Sequence, residues 1–179
     1  GVQTCALPIF LILVADDLGW ADVPWRGSPA RMPNLDRLRQ DGTELMRFYG
    51  APLCSPSRAA LYTGRSAAQL NIRDVFSGRD DGLSTLEHIM PESFRAAGYQ
   101  TALTGKWHLG SDPTGFDRWI VLPGQGVYWN PSFFVQGKKL SIEGHCTEIT
   151  THFFRDPGKH TQFWDQLDGL LATLNCSNK

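Results

Sequence analysis

The sequence predicts an α/β fold with a mostly parallel central sheet, and three observations carry that expectation. An apolar run without alternation, Phe10 to Ala15, stops abruptly at Asp16-Asp17. Helix-periodic segments follow it, and a second strand pattern, Tyr99 to Thr104, runs into Gly105-Lys106-Trp107-His108. A short continuous apolar run is the pattern of a strand buried on both faces of a parallel sheet. In open α/β sheets ligands bind at the carboxyl ends of the strands. Asp16-Asp17 and Lys106-Trp107-His108 are therefore expected at one sheet edge, with the segment around Cys54 converging on them.

The remaining elements follow in order. Asn34 to Gln40 reads as a short helix, with Asn34 able to cap it, Leu35 and Leu38 on one face, and Gly42 ending it. Thr43 to Tyr49 is expected as the next strand. Pro56 suits a first helical turn, and Ser57 to Tyr62 continues with good helix formers until Thr63-Gly64. Ser84-Thr85-Leu86-Glu87 fits a capping box, and Leu86, Ile89, Met90, Phe94 and Ala97 keep helical spacing up to Gly98, with Pro91 kinking or restarting the helix. Residues 111–145 are richer in Gly, Pro and aromatics, with a hairpin expected around Gln136-Gly137. Thr147 to Phe154 opens another helix, and no pattern is recognisable beyond Pro157.

Composition narrows the function classes. The chain has 179 residues, 41% hydrophobic and 20% charged, which suits a globular protein with one core. Its 17 basic and 18 acidic side chains leave a net charge of -1 and no basic stripe, so nucleic-acid binding is not expected. The longest apolar stretch, Ile9 to Ala15, is far short of the roughly 20 residues a membrane span needs. No charged segment followed by a hydrophobic stretch marks a secretion signal. Cys5, Cys54, Cys146 and Cys176 are too few and too scattered for a disulfide scaffold, and no C-x-x-C pair suggests zinc. Residues 1–9 resemble the translation of a sequencing adapter and are expected to be a non-native leader, which leaves Cys5 out of functional consideration.

Each chemical feature has two readings when taken singly. Asp16-Asp17 after an apolar strand suits a hard cation such as calcium or magnesium, and is more commonly a solvated acidic turn. Cys54 and Arg58 share one face of a helix, so a cation can accompany the cysteine, but a lone Cys is also a common small buried hydrophobe. Their spacing does not match the C-x5-R loop of cysteine phosphatases. Lys106 and His108 serve as well as a surface pair beside a packed Trp107.

Together these pieces resemble the sulfatase family. Cys54-Ser55-Pro56-Ser57-Arg58-Ala59-Ala60-Leu61-Tyr62-Thr63-Gly64-Arg65 matches its signature C-x-P-S-R-x-x-x-x-T-G-R, with Tyr62 where Leu is more usual. Gly98 to Gly110 matches G-Y-x-T-x-x-x-G-K-W-H-L-G, and Ala15 to Gly19 matches A-D-D-L-G. The resemblance runs from Phe10 to about Phe154. It implies an alkaline-phosphatase-like α/β/α sandwich, incomplete at the C-terminus, with 10–156 as the N-terminal part of a catalytic domain and 157–179 an unassigned tail.

The same resemblance implies the chemistry. Cys54 would be converted to formylglycine by a separate formylglycine-generating enzyme, directed by the residues after it, and the hydrated aldehyde would attack sulfur. Asp16, Asp17 and the modified Cys54 would ligate calcium. Arg58 would hold the nucleophile in its ionised form, Lys106 would contact a sulfate oxygen, and His108 would steady the nucleophile or its proton. The remaining metal and leaving-group residues are not found before Lys179. Segments 115–119, 122–126 and 128–131 resemble sulfatases of the glucosamine-6-sulfatase and heparan type, so sulfated carbohydrate is the expected substrate. The family is mostly exported, to a periplasm or the exterior, or lysosomal. Alternatives are a phosphonate or phosphate monoester hydrolase of the same superfamily, and a non-catalytic truncated remnant.

Overall fold

The computed structural model describes residues 8–76 and 82–152. The chain divides into two compact units, Gly1–Cys54 and Ser55–Lys179. Residues 1–7, 77–81 and 153–179, and with them most of the expected leader and all of the expected tail, lie outside the described residues.

In the first unit, Pro24–Arg26 forms a single 3-10 turn and Pro33–Asp41 forms helix α1. Helix α1 occurs where expected, but Asn34 does not cap it. Pro33 occupies the first turn, where a missing N–H costs nothing, and the capping position falls on Met32, which makes no side-chain bond. Leu35 and Leu38 remain exposed. Val23 is the one buried side chain among the unit's described residues. Polar contacts tie this unit together instead: Glu44 pairs with Arg26 and accepts from Trp25 Nε1 at 3.3 Å, while Arg39 bonds Asp36 at 3.2 Å.

Two expected strands are absent from this unit. Phe10 to Val14 form no ladder and stand 49–69% exposed, and Thr43 to Tyr49 pass through an irregular turn with Phe48 and Tyr49 open to solvent. The reason is partnership. A strand buried on both faces needs neighbours on both edges, and no strand is present among the described residues of Gly1–Cys54.

The second unit holds the sheet. Helix α2 (Cys54–Thr63) opens it, followed by α3 (Met90–Ala96), β1 (Ala102–Lys106), β2 (Arg118–Leu122), β3 (Ser132–Val135), β4 (Lys138–Ser141) and α4 (Cys146–His152). The strand order is β1-β2-β3-β4, with β1 and β2 parallel and the other two pairs antiparallel. The α/β class is as predicted, and among the described residues the sheet is mixed. The antiparallel β3–β4 pair follows from the two-residue turn Gln136-Gly137, whose φ values of 46° and 83° match the twist a tight hairpin requires.

Strand β2 was not anticipated, although it fits the pattern sought at Phe10–Ala15. Trp119 and Val121 point to one face and join Ala59, Tyr62, Ile89, Trp107 and Leu109. Ile120 points to the other and packs with Phe133 and Val135. All three of its central residues are buried, each worth about 1.5–3 kcal/mol relative to exposure. Asp117 anchors the parallel pair at its start by accepting from Thr101 N–H at 2.8 Å and pairing with Arg95 at 3.0 Å.

The helix after Ser84 begins later than its sequence signals suggest. Ser84 to Glu87 form a turn with Leu86 exposed, and α3 starts at Met90 with Pro91 in its first turn. Glu92 Oε2 accepts from the Ile89 N–H at 3.0 Å and provides the reciprocal bond expected of Glu87. Helix α4 starts one residue before its expected start at Thr147.

Candidate active site

The first group of candidates belongs to the Gly1–Cys54 unit. One ligand atom from each of Asp16, Asp17 and Cys54 lies within 4.8 Å of the others, with both aspartates exposed and Cys54 half-buried. Oxygens bound to one calcium at about 2.3–2.6 Å are separated by at most about 5 Å, so this spacing fits a shared cation. Chemistry distinguishes the donors. The two carboxylates suit a hard cation, whereas a thiol sulfur is soft and suits calcium poorly. An oxygen in place of that sulfur makes the whole set hard. Asp17 adopts φ 57°, the left-handed region that few non-glycine residues occupy.

The second group is built around helix α2. Its buried face comprises Ser55, Arg58, Ala59 and Tyr62, at helical spacing. Gly64, at φ 67°, ends the helix by donating to the Ala60 carbonyl at 2.9 Å, and Thr63 Oγ1 donates to the Ala59 carbonyl at 2.7 Å. Thr63-Gly64-Arg65 is therefore a helix-ending device, with Arg65 paired to Glu87.

From this face two bonds reach the end of β1. Arg58 Nη1 donates to the Lys106 carbonyl, and Ser55 Oγ donates to the His108 carbonyl at 2.7 Å. The structure thus joins the motif at 54–65 to Lys106 and His108, as the sequence led one to expect. Lys106 Nζ donates to Gln125 Oε1 at 2.6 Å, across the parallel β1–β2 edge. His108 is 4% exposed, sits at φ 56°, and has Nε2 at 3.1 Å from the Phe76 carbonyl. Trp107, between them, packs on Tyr62 at 4.9 Å between ring centroids and donates to the Ser111 carbonyl at 2.7 Å.

Burial holds the Tyr62 hydroxyl above the ordinary tyrosine range, an effect that the positive charge of Arg58 opposes. A cleft of about 380 Å³ lies beside Trp107 and His108, lined also by Phe76, Asp112, Leu122 and Phe134. Reading the residues alone did not identify Phe76, Asp112 or the bonding of Ser55 and Gln125. The signal that could have found Gln125 is its place between two glycines, Gly124 and Gly126.

Residues 8–168 match the family model described as Sulfatase. The N-acetylgalactosamine-6-sulfatase of Mus musculus is 40% identical over 133 residues, 65% of this chain and 26% of that protein. The N-acetylglucosamine-6-O-sulfatase of Bacteroides thetaiotaomicron is 35% identical over 150 residues, 80% of this chain and 26% of that protein. Among solved structures, one in complex with its substrate D-glucosamine-2-N,6-O-disulfate superposes with a TM-score of 0.64 at 32% identity, covering 76% of this chain and 29% of the other. That of Ps i-CgsB superposes with a TM-score of 0.69 at 28% identity, covering 76% and 38%. The chain spans about a quarter of the length of these sequence relatives.

Proposed function

Because the chain belongs to the sulfatase family, we propose that it supplies part of the machinery of an enzyme that hydrolyses sulfate esters on carbohydrates. The observation that carries this reading is the grouping of Asp16, Asp17 and Cys54, with Cys54 the first residue of α2. Relatives named for N-acetylgalactosamine-6- and N-acetylglucosamine-6-O-sulfate support a 6-O-sulfated amino sugar as the substrate class. The working compartment on this reading is exported or lysosomal.

Each residue then has a task. Asp16 and Asp17 would hold calcium, which would supply positive charge against the sulfate oxygens. Conversion of Cys54 to formylglycine by its maturation enzyme supplies an oxygen nucleophile in place of sulfur and makes the donor set hard throughout. Lys106 offers its ammonium as a point charge to a sulfate oxygen, held at the strand end by Gln125. Arg58 clamps α2 to the Lys106 carbonyl, and His108 holds a proton at Nε2 against the Phe76 carbonyl. Cations fixed before the reaction begins are the most effective stabilisers of charge that develops on sulfate.

The test is turnover of matched sulfate and phosphate monoesters by the full-length, modified protein and its Cys54→Ala variant. Sulfate is expected to be the faster substrate, with Cys54→Ala losing at least about 10³-fold in kcat, the scale of losing a nucleophile. Faster phosphate turnover would assign the protein to phosphate monoester hydrolysis, and no turnover of either would favour a non-catalytic remnant.

A further inference from the structure

Ser55, Phe76 and His108 come from three distant parts of the chain and close a ring of hydrogen bonds. Ser55 is 0% exposed, and its hydroxyl donates to the His108 carbonyl at 2.7 Å while accepting from the Phe76 N–H at 3.1 Å. His108 Nε2 lies 3.1 Å from the Phe76 carbonyl. A carbonyl only accepts, so Nε2 is the nitrogen that carries the proton, and Nδ1 is the lone-pair nitrogen of the neutral ring. Both hydrogen-bonding capacities of the Ser55 hydroxyl engage the segments that orient this imidazole. One bond reaches the His108 backbone, which is in the left-handed conformation, and the other holds the amide N–H of Phe76, the residue whose carbonyl receives the ring N–H.

We infer that Ser55 is a positioning residue, which sets His108 as its Nε2–H tautomer and so decides which ring nitrogen presents a lone pair. This deepens the sulfatase reading, on which it rests for its catalytic consequence, because a histidine that steadies a nucleophile acts through one defined nitrogen. It also gives the residue after Cys54 a task separate from directing that cysteine's modification. The tautomer is a property of the ring in the folded chain and is measurable without turnover.

Long-range proton–nitrogen correlation NMR of the 179-residue chain, at a pH where the ring is neutral, reads the tautomer directly. The His108 signal is identified by its loss in His108→Gln. The expected result is a protonated Nε2 and an unprotonated Nδ1, becoming a mixture of tautomers in Ser55→Ala and returning to the single form in Ser55→Thr. A wild-type ring protonated at Nδ1 overturns the inference whatever the variants do, and so does a Ser55→Ala ring still wholly in the Nε2–H form. In the full-length enzyme, Ser55→Ala is expected to lower kcat about tenfold per unit of modified Cys54, with KM within about twofold. An unchanged kcat also overturns it. Absence of any sulfatase turnover in the wild-type enzyme counts against the proposed function and leaves the NMR outcome intact.

Discussion

Asp17 and His108 are two non-glycine residues held in the left-handed region, at φ 57° and 56°. Such conformations persist only where surrounding structure imposes them, and they concentrate at sites that bind or react. Asparagine tolerates the same backbone, so Asp17→Asn removes charge with little change of shape. Its calcium affinity is expected to fall at least about tenfold by titration calorimetry, equivalent to about 1.4 kcal/mol. Unchanged affinity would remove Asp17 from the metal set. Tyr62 offers a pH test. Burial raises its pKa above the ordinary value of 10.0, so folding favours the protonated ring. That contribution is complete below pH 10 and is lost as pH rises through the folded-state pKa. Denaturation as a function of alkaline pH should show a shallower loss of stability in Tyr62→Phe, and identical slopes would show that Tyr62 is not the group responsible.

At the scale of elements, legibility tracks how local the determining signal is. Helix α2 was readable because Pro56 and Gly64 mark its ends within its own sequence, and the β3–β4 hairpin because Gln136-Gly137 specifies its turn. Helix α3 was displaced because Ser84 and Glu92 each offer a capping signal, and the one whose helix buries Pro91 and packs Met90 against the core prevailed. Gly137 allows the turn chemistry to be measured. A Cβ there meets only Asp112 Oδ2, at 3.8 Å, so the cost of Gly137→Ala is one of backbone conformation. A loss of about 1–2 kcal/mol is expected in chemical denaturation. No loss would show that the hairpin does not depend on this turn.

Across the whole molecule, the two units differ in what holds them. Ser55–Lys179 contains both apolar clusters, whereas the described part of Gly1–Cys54 buries Val23 and otherwise relies on contacts such as Arg26–Glu44 and Arg39–Asp36. Partly buried ion pairs without an apolar core beneath them stabilise less than the two clusters of the second unit, so amide hydrogen exchange is expected to be fastest in the first unit and slowest in β2 and β3. Equal protection in α1 and β2 would contradict this. The sequence by itself determined the family, the order of its motifs, the α/β class and helix α2, because those depend on residue identity and short-range spacing. Only the tertiary structure decided that residues 119–121 and not 10–15 are the stretch buried on both faces, and that Ser55 and Phe76 hydrogen-bond to His108. Burial and hydrogen bonding are properties of partners, and the partners here lie tens of residues apart along the chain.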